Sequence, residues 1–151
     1  GEEHGYHFGG DVYQRIELSE NGLDCRIVPA SDPVGEGTYN AAEFTPALIK
    51  DGEKIEDSFW TGEQPRACFG TGDQGVYMLI IEGRYPDEGI RGTSVNTCSD
   101  ILLAYGCRNA LNMDGGSSAI LWYDGEYVTQ SSSSFLRYTG GRPLPNAWVY
   151  G

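Results

Sequence analysis

Thr97-Cys98-Ser99-Asp100-Ile101-Leu102-Leu103-Ala104-Tyr105-Gly106, followed closely by Asn109-Ala110-Leu111-Asn112-Met113-Asp114-Gly115-Gly116-Ser117-Ser118, is the stretch whose reading decides the fold. Its first half reads as a helix. Ile101, Leu102 and Tyr105 supply an apolar face, Thr97 or Ser99 can cap the start with Asp100 in the first turn, and Gly106 suits the end. Its second half reads as a short strand, Asn109–Met113, running out into a glycine turn. The rest of the chain reads as strands and turns, so this one helix makes the sequence α+β rather than all-β.

Working outward, Gln74–Glu82 is the strongest strand signal. Val76, Tyr77, Met78, Leu79, Ile80 and Ile81 form an unbroken apolar run, expected at the centre of a sheet with both faces covered. Val12–Leu18 and Leu23–Val28 read as strands with Asn21-Gly22 between them. Ala47–Lys50 leads into a hairpin at Asp51-Gly52, and Ala119–Tyr123 pairs with Glu126–Thr129 across Asp124-Gly125. Asn146–Tyr150 reads as a closing strand, and Pro29–Thr38 and Ser131–Ser134 as loops. Residues 1–10 read as a flexible arm, in which His4 and His7 lack an obvious third metal ligand. The expected architecture is α+β: a mixed, mainly antiparallel sheet with one principal helix and several hairpins, in one domain over residues 1–151.

The formal charge of −12, from ten Lys and Arg against 22 Asp and Glu, argues against nucleic acid and anionic lipid as general partners. No apolar stretch approaches the roughly 20 residues that span a bilayer. Cys25, Cys68, Cys98 and Cys107 form no Cys-x-x-Cys pair, so structural zinc is not expected and two disulfides in an exported protein are. A Cys98–Cys107 bridge is disfavoured: across a helix those residues would lie about 13 Å apart, where a disulfide needs about 7 Å or less. The chain starts at Gly1 without Met, which reads as a processed or trimmed product, and an extracellular or cell-surface location is expected.

The seven residues from Asn112 to Ser118 place a carboxylate, two glycines and two hydroxyls where a strand ends. Glycines let a ligand approach the backbone closely; the competing reading is a tight turn in which Asp and Ser bond their own backbone. The order of motifs around that turn decides between them. Pro65-Arg66-Ala67-Cys68-Phe69-Gly70, Glu82-Gly83-Arg84, the Asp114-Gly115-Gly116-Ser117-Ser118 turn and Arg142-Pro143-Leu144-Pro145-Asn146-Ala147 occur in a series that resembles the phosphodiester glycosidase family, most strongly over residues 45–151.

The resemblance implies an enzyme that breaks a sugar-1-phosphodiester. Positive charge builds on the sugar as the anomeric C–O bond breaks, while the departing phosphomonoester is a weak base that needs little general-acid help. Such a site requires a carboxylate near the anomeric carbon, cationic donors around phosphate and hydrogen bonds to the sugar. Asp114 is the first carboxylate and Glu82 the second. Arg66 and Arg84 are the phosphate candidates, because a guanidinium makes planar bidentate contacts. Gly115, Gly116, Ser117 and Ser118 can add backbone and hydroxyl donors, and Asn112 and Asn146 can orient the sugar or the carboxylates. For Glu82 the alternative is an ion pair with Arg84 or Arg66; for Asn146 it is an ordinary turn.

Two departures from the family stand out. Its members usually carry Asp where Glu82 stands, and the nearest counterpart here of their early Asn-Gly-Gly-Phe-Phe-like motif is Tyr39-Asn40-Ala41-Ala42-Glu43-Phe44. A second reading is therefore kept: a non-catalytic carbohydrate-binding or surface-assembly module on the same fold. A third, a metal-dependent phosphodiesterase, would use Asp114, Asp100 and Glu82 as oxygen ligands for Ca²⁺ or Mg²⁺. No recognisable metal-loop spacing supports it, so no cofactor is expected. A serine nucleophile at Ser117 or Ser118 would lack a rigid histidine base. The expected partner is a glycan or sugar phosphodiester, and self-association is left open.

Overall fold

Short apolar runs separated by glycine-containing turns become paired strands along most of the chain. The computed structural model describes residues 12–133, 141–144 and 146–150; the proposed N-terminal arm with His4 and His7, and Ser134, lie outside them. In chain order the elements are β1 (Gln14–Leu18), β2 (Cys25–Pro29), β3 (Asn40–Phe44), β4 (Ala47–Lys50), β5 (Glu53–Lys54), β6 (Arg66–Gly72), β7 (Gly75–Ile81), α1 (Val95–Ala104), β8 (Cys107–Asn112), β9 (Trp122–Tyr123) and β10 (Glu126–Tyr127). One sheet has the order β2-β1-β3 and a second the order β5-β4-β8-β6-β7, with β9 and β10 forming a separate ribbon. Every strand pairing among the described residues is antiparallel. The fold is α+β and mostly β, as the chain pattern suggests.

The five-stranded sheet is the middle layer. On one side α1 closes a core of Leu48, Ile49, Cys68, Val95, Cys98, Leu102, Cys107 and Ala110. On the other, the three-stranded sheet brings Ile16, Leu18 and Ile27 against Ala47, Phe69 and Leu111. Trp148 joins this second core by stacking on Phe69 with ring centroids 3.9 Å apart. Alternation along β6 explains how it serves both: Cys68 faces one core and Phe69 the other.

The remaining charged residues of β1 are also buried. Arg15 Nε meets Glu17 at 2.7 Å, and Arg26 reaches the other Glu17 oxygen at 2.6 Å. Arg15 also donates to the carbonyls of Ala30, Asp32 and Pro33, which holds the 30–38 loop against the sheet without a backbone ladder. Burial alone would raise the Glu17 carboxyl. Bonds from Arg15, Arg26, Thr38 and the Gly35 amide together outweigh it and hold that carboxyl below its ordinary value.

Several local expectations need correction. β7 is an edge strand, not a central one. Its unbroken apolar run reflects two covered faces: Tyr77, Leu79 and Ile81 pack towards the helix side, Val76 and Met78 towards the other. The helix starts earlier than expected, capped by Ser94, whose hydroxyl accepts from Thr97 N at 3.2 Å. Asp100 pairs with Lys54 at 2.6 Å instead of sitting in the first turn. Asn40–Phe44 is a strand, β3, paired with β1. No closing strand forms at Asn146–Tyr150, because Trp148 docks that segment through its ring and not through a backbone ladder.

The four cysteines are free thiols, so the expected disulfides are absent from this structure. All four lie at the packed sheet surfaces. Cys68 and Cys98 hydrogen-bond each other within the helix-side core, a contact that raises the Cys68 thiol well above its usual value and lowers that of Cys98. Burial pushes Cys107 up to about 12.

Candidate functional site

Strand order decides which motifs meet. β6 runs antiparallel to both its neighbours, so its first residues lie beside the last residues of β7 and β8: Arg66 is opposite Ile81, and Cys68 is opposite Asn112. Pro65-Arg66, Glu82-Gly83-Arg84 and the Asn112–Ser118 stretch, far apart in sequence, therefore emerge at one end of the sheet. Met113 N donating to Ala67 O at 2.8 Å continues the β8–β6 ladder up to that end.

The glycines of the turn are demanded by what surrounds them. A Cβ on Gly115 would stand 2.5 Å from the Pro65 carbonyl oxygen, well inside contact distance. Gly116 has φ +59°, and its Cβ would lie 3.1 Å from the Arg84 guanidinium nitrogens. Gly116 N also donates to Pro65 O at 3.0 Å, and Gly116–Ser118 then closes as a short 3-10 turn. The turn is thereby clamped onto the start of β6 and beside Arg84.

Asp114 is half-exposed and held from two sides. Its Oδ2 accepts from Ser118 Oγ at 2.7 Å and from Arg142 at 2.6 Å, while Arg142 Nε also reaches Ser118 Oγ at 3.0 Å. Both partners of the ion pair meet solvent, so its energetic weight is small and its value is in orientation. Glu82 Oε1 accepts from Gln130 N at 2.5 Å, tying the end of β7 to the segment after β10. Arg84 adopts φ +68°, a conformation that side chains seldom take outside constrained sites. Its Nε donates to Gln64 Oε1 at 2.9 Å and its terminal nitrogen approaches Ser132 Oγ at 3.5 Å.

Arg66 lies at the same sheet end but its guanidinium turns inward. Nε donates to Thr93 O at 2.9 Å, and one terminal nitrogen to Gly62 O at 2.8 Å and Trp60 O at 3.4 Å, with the Trp60 ring 5.9 Å away. Burial draws this guanidinium below its ordinary value, and the nearby positive charge of Arg84 adds to the effect. Asn112 is buried: its amide donates to Thr45 O at 2.7 Å, and its Oδ1 has no hydrogen-bond partner. Ser117 contributes its carbonyl to Ser131 Oγ at 3.5 Å. Asn146 is exposed in the C-terminal segment.

Arg142 is the residue at this site that was not singled out from the sequence, although it opens the closing Arg-Pro-Leu-Pro-Asn-Ala motif. Gln64 and Gln130 were also missed, because a lone Gln in a polar segment carries no positional signal. Ser131, placed in a surface loop by composition, is 1% exposed and receives the Tyr85 hydroxyl at its carbonyl, 2.7 Å. Among the described residues, no three His, Cys, Asp or Glu side chains converge in a metal-holding group. No helix of the described residues is long and apolar enough to cross a membrane. A shallow cleft lined by Cys25, Thr71, Asp73 and Arg108 lies at the opposite end of β6 and includes none of the candidate residues.

A family model described as phosphodiester glycosidase matches residues 3–150. The structure is similar to the zebrafish N-acetylglucosamine-1-phosphodiester alpha-N-acetylglucosaminidase catalytic domain auto-inhibited by pro-peptide, with TM-score 0.59, 15% identity and 84% of this chain covered. The present chain spans 47% of that domain's length. A hypothetical protein from Synechocystis is also similar, with TM-score 0.49, 19% identity, and 81% of this chain and 31% of that one covered. No curated protein matches the chain.

Proposed function

As a chain that belongs to the phosphodiester glycosidase family over residues 3–150, this protein is, we propose, a hydrolase that cleaves a sugar-1-phosphodiester, with Asp114 beside the anomeric carbon. The observation that carries this reading is the Asp114 carboxylate held by Ser118 and Arg142 on a turn whose Gly116 backbone lies against the Arg84 guanidinium. A carboxylate bonded to one guanidinium, on a turn with a second guanidinium beside its Gly116, suits a substrate that develops positive charge on its sugar and carries a negative phosphate.

In this proposal Asp114 acts as nucleophile or as base for a water, and Glu82 is the second carboxylate. Arg84 and Arg142 take the phosphate oxygens, with Gly115, Gly116, Ser117 and Ser118 supplying further donors. Substrate phosphate would compete with Asp114 for Arg142, releasing the carboxylate towards the anomeric carbon. Arg66 holds the 60–64 segment that walls the site, and Asn112 supports the strand end. Export to the cell surface, where a glycosyl-phosphodiester polymer would be met, belongs to the same proposal.

The test is sugar release from a sugar-1-phosphodiester by the full chain and by Asp114→Asn, with and without chelator. The proposal expects release that resists chelator and falls by about 10²–10⁴-fold in the variant. Release undiminished in Asp114→Asn would remove Asp114 from the chemistry. A folded protein that binds the glycan without turnover would favour a carbohydrate-binding module, a reading supported by Tyr39-Asn40-Ala41-Ala42-Glu43-Phe44 standing where the family usually has its early glycine motif.

A further inference from the structure

Between the two proposed carboxylates the chain makes an excursion with its own chemistry. It departs at Ser118, whose hydroxyl is bonded to Asp114 at 2.7 Å, and returns at Gln130, whose amide donates to Glu82. Both roots of the 119–129 hairpin are thus tied to the candidate site. Just above the roots, Leu121 N donates to Thr129 Oγ1 at 2.7 Å and Val128 N to Leu121 O at 2.8 Å, clamping the two limbs together. At the tip Asp124 and Gly125 take φ of 49° and 87°, a two-residue turn that pins the register.

That register sets Trp122 opposite Tyr127 and Tyr123 opposite Glu126. Directly paired residues share a face and successive residues alternate. Trp122 and Tyr127 therefore present two rings on one face, with Tyr123 and Glu126 on the other. The two rings are 60% and 52% exposed, so neither is consumed by the core. A ribbon with two residues per strand gains little stability from burial of its own, which leaves these large side chains without a structural task.

The chemistry of the hairpin selects what covers them. Residues 119–129 contain Asp124 and Glu126 and no Lys or Arg, in a chain of net charge −12, which disfavours an anionic lipid surface or nucleic acid. A pyranose fits instead: its C–H face rests on the electron-rich ring face, while its hydroxyls meet the indole N–H and the phenol. Position agrees, because Trp122 is four residues from Ser118, at most about 14 Å of extended chain. The sugar in reach is one neighbouring the scissile linkage.

We propose that Trp122 and Tyr127 form a sugar-stacking subsite for the glycan portion of the substrate that extends beyond the reacting sugar. The proposal rests on the glycosyl-phosphodiester reading for what lies at Asp114, but stacking itself requires no turnover. It assigns these two rings a role in affinity and chain-length preference, and none in bond breaking.

The probes are chito-oligosaccharides of one to four units and their 1-phosphodiesters, titrated into the full chain by calorimetry and assayed for sugar release. The variants are Trp122→Ala, Tyr127→Ala and, as an opposite-face control, Tyr123→Ala, each checked for unchanged thermal unfolding. The expected result is about 3–10-fold weaker binding of the longer oligosaccharides for each stacking ring removed, a matching rise in KM on longer substrates, unchanged kcat, and little effect from Tyr123→Ala. Oligosaccharide binding that weakens in Trp122→Ala without any sugar release would defeat the glycosidase reading and leave the subsite standing. Sugar release with chain-length preference unchanged in Trp122→Ala and Tyr127→Ala would overturn the subsite and leave the glycosidase reading intact. Equal effects from Tyr123→Ala, no binding of any probe, or concentration-dependent self-association abolished by Trp122→Ala would also overturn the subsite; the last would assign the rings to a second copy of the chain.

Discussion

Glu17 shows most clearly what one side chain does here. Its carboxylate is 2% exposed and takes bonds from two arginines, a threonine hydroxyl and a backbone amide. Removing one member of such a network strands the others, at a cost of about 3–5 kcal/mol. Glu17→Gln should accordingly lower the urea midpoint strongly. The sign of the pH effect follows from the lowered folded value: the stabilisation is present above the unfolded value near 4.5 and is lost as pH falls through the folded one. Urea titrations between pH 7 and pH 2 should show that loss in the native protein and a flatter profile in Glu17→Gln. An equal slope in both would remove Glu17 as its source. Nothing in the alternation of Arg15 and Glu17 along β1 separates such a network from an ordinary solvated strand face, because burial depends on the 30–38 loop folding over it.

Among the elements, the helix is where local signals came nearest and still slipped. Thr97 and Ser99 are both acceptable caps by residue type, yet Ser94 holds the position, since Val95 is needed in the helix-side core and its amide donates to Trp60 O at 3.2 Å. Ser94→Ala should cost about 1 kcal/mol, read as a lowered thermal midpoint, whereas Ser99→Ala removes no cap. If Ser99→Ala costs as much through the cap and Ser94→Ala nothing, the helix begins later than the structure has it. The hairpins were legible for a stronger reason. Asp51-Gly52 and Asp124-Gly125 both take two successive positive φ values, and few residue pairs other than these do so readily.

Across the whole molecule, the five-stranded sheet lies in both cores, with Cys68 on one side and Phe69 on the other. Neither outer layer can leave without exposing a face of this sheet, so unfolding should be a single cooperative transition. Trp148 belongs to the same unit through its stack on Phe69. Trp148→Ala should cost about 3 kcal/mol while far-UV and near-UV circular dichroism continue to report one coincident thermal transition. Separate transitions at the two wavelengths would show the three-stranded layer and the helix layer unfolding independently.

By itself the sequence determined the strand-and-turn plan, the helix before the Asp114 turn, the family and the composition of that turn. These follow from short-range rules: hydrophobic period, positive-φ turn pairs, and a motif order spread along the chain. Tertiary structure alone decided that β7 is an edge strand, that Arg66 spends its donors on carbonyls and that Arg142 comes to Asp114. It also tied the roots of the Trp122–Tyr127 hairpin to Asp114 and Glu82. Which strand ends adjoin, and which way a long side chain turns, depend on strand order and on neighbours distant in sequence, information that no local pattern of residues contains.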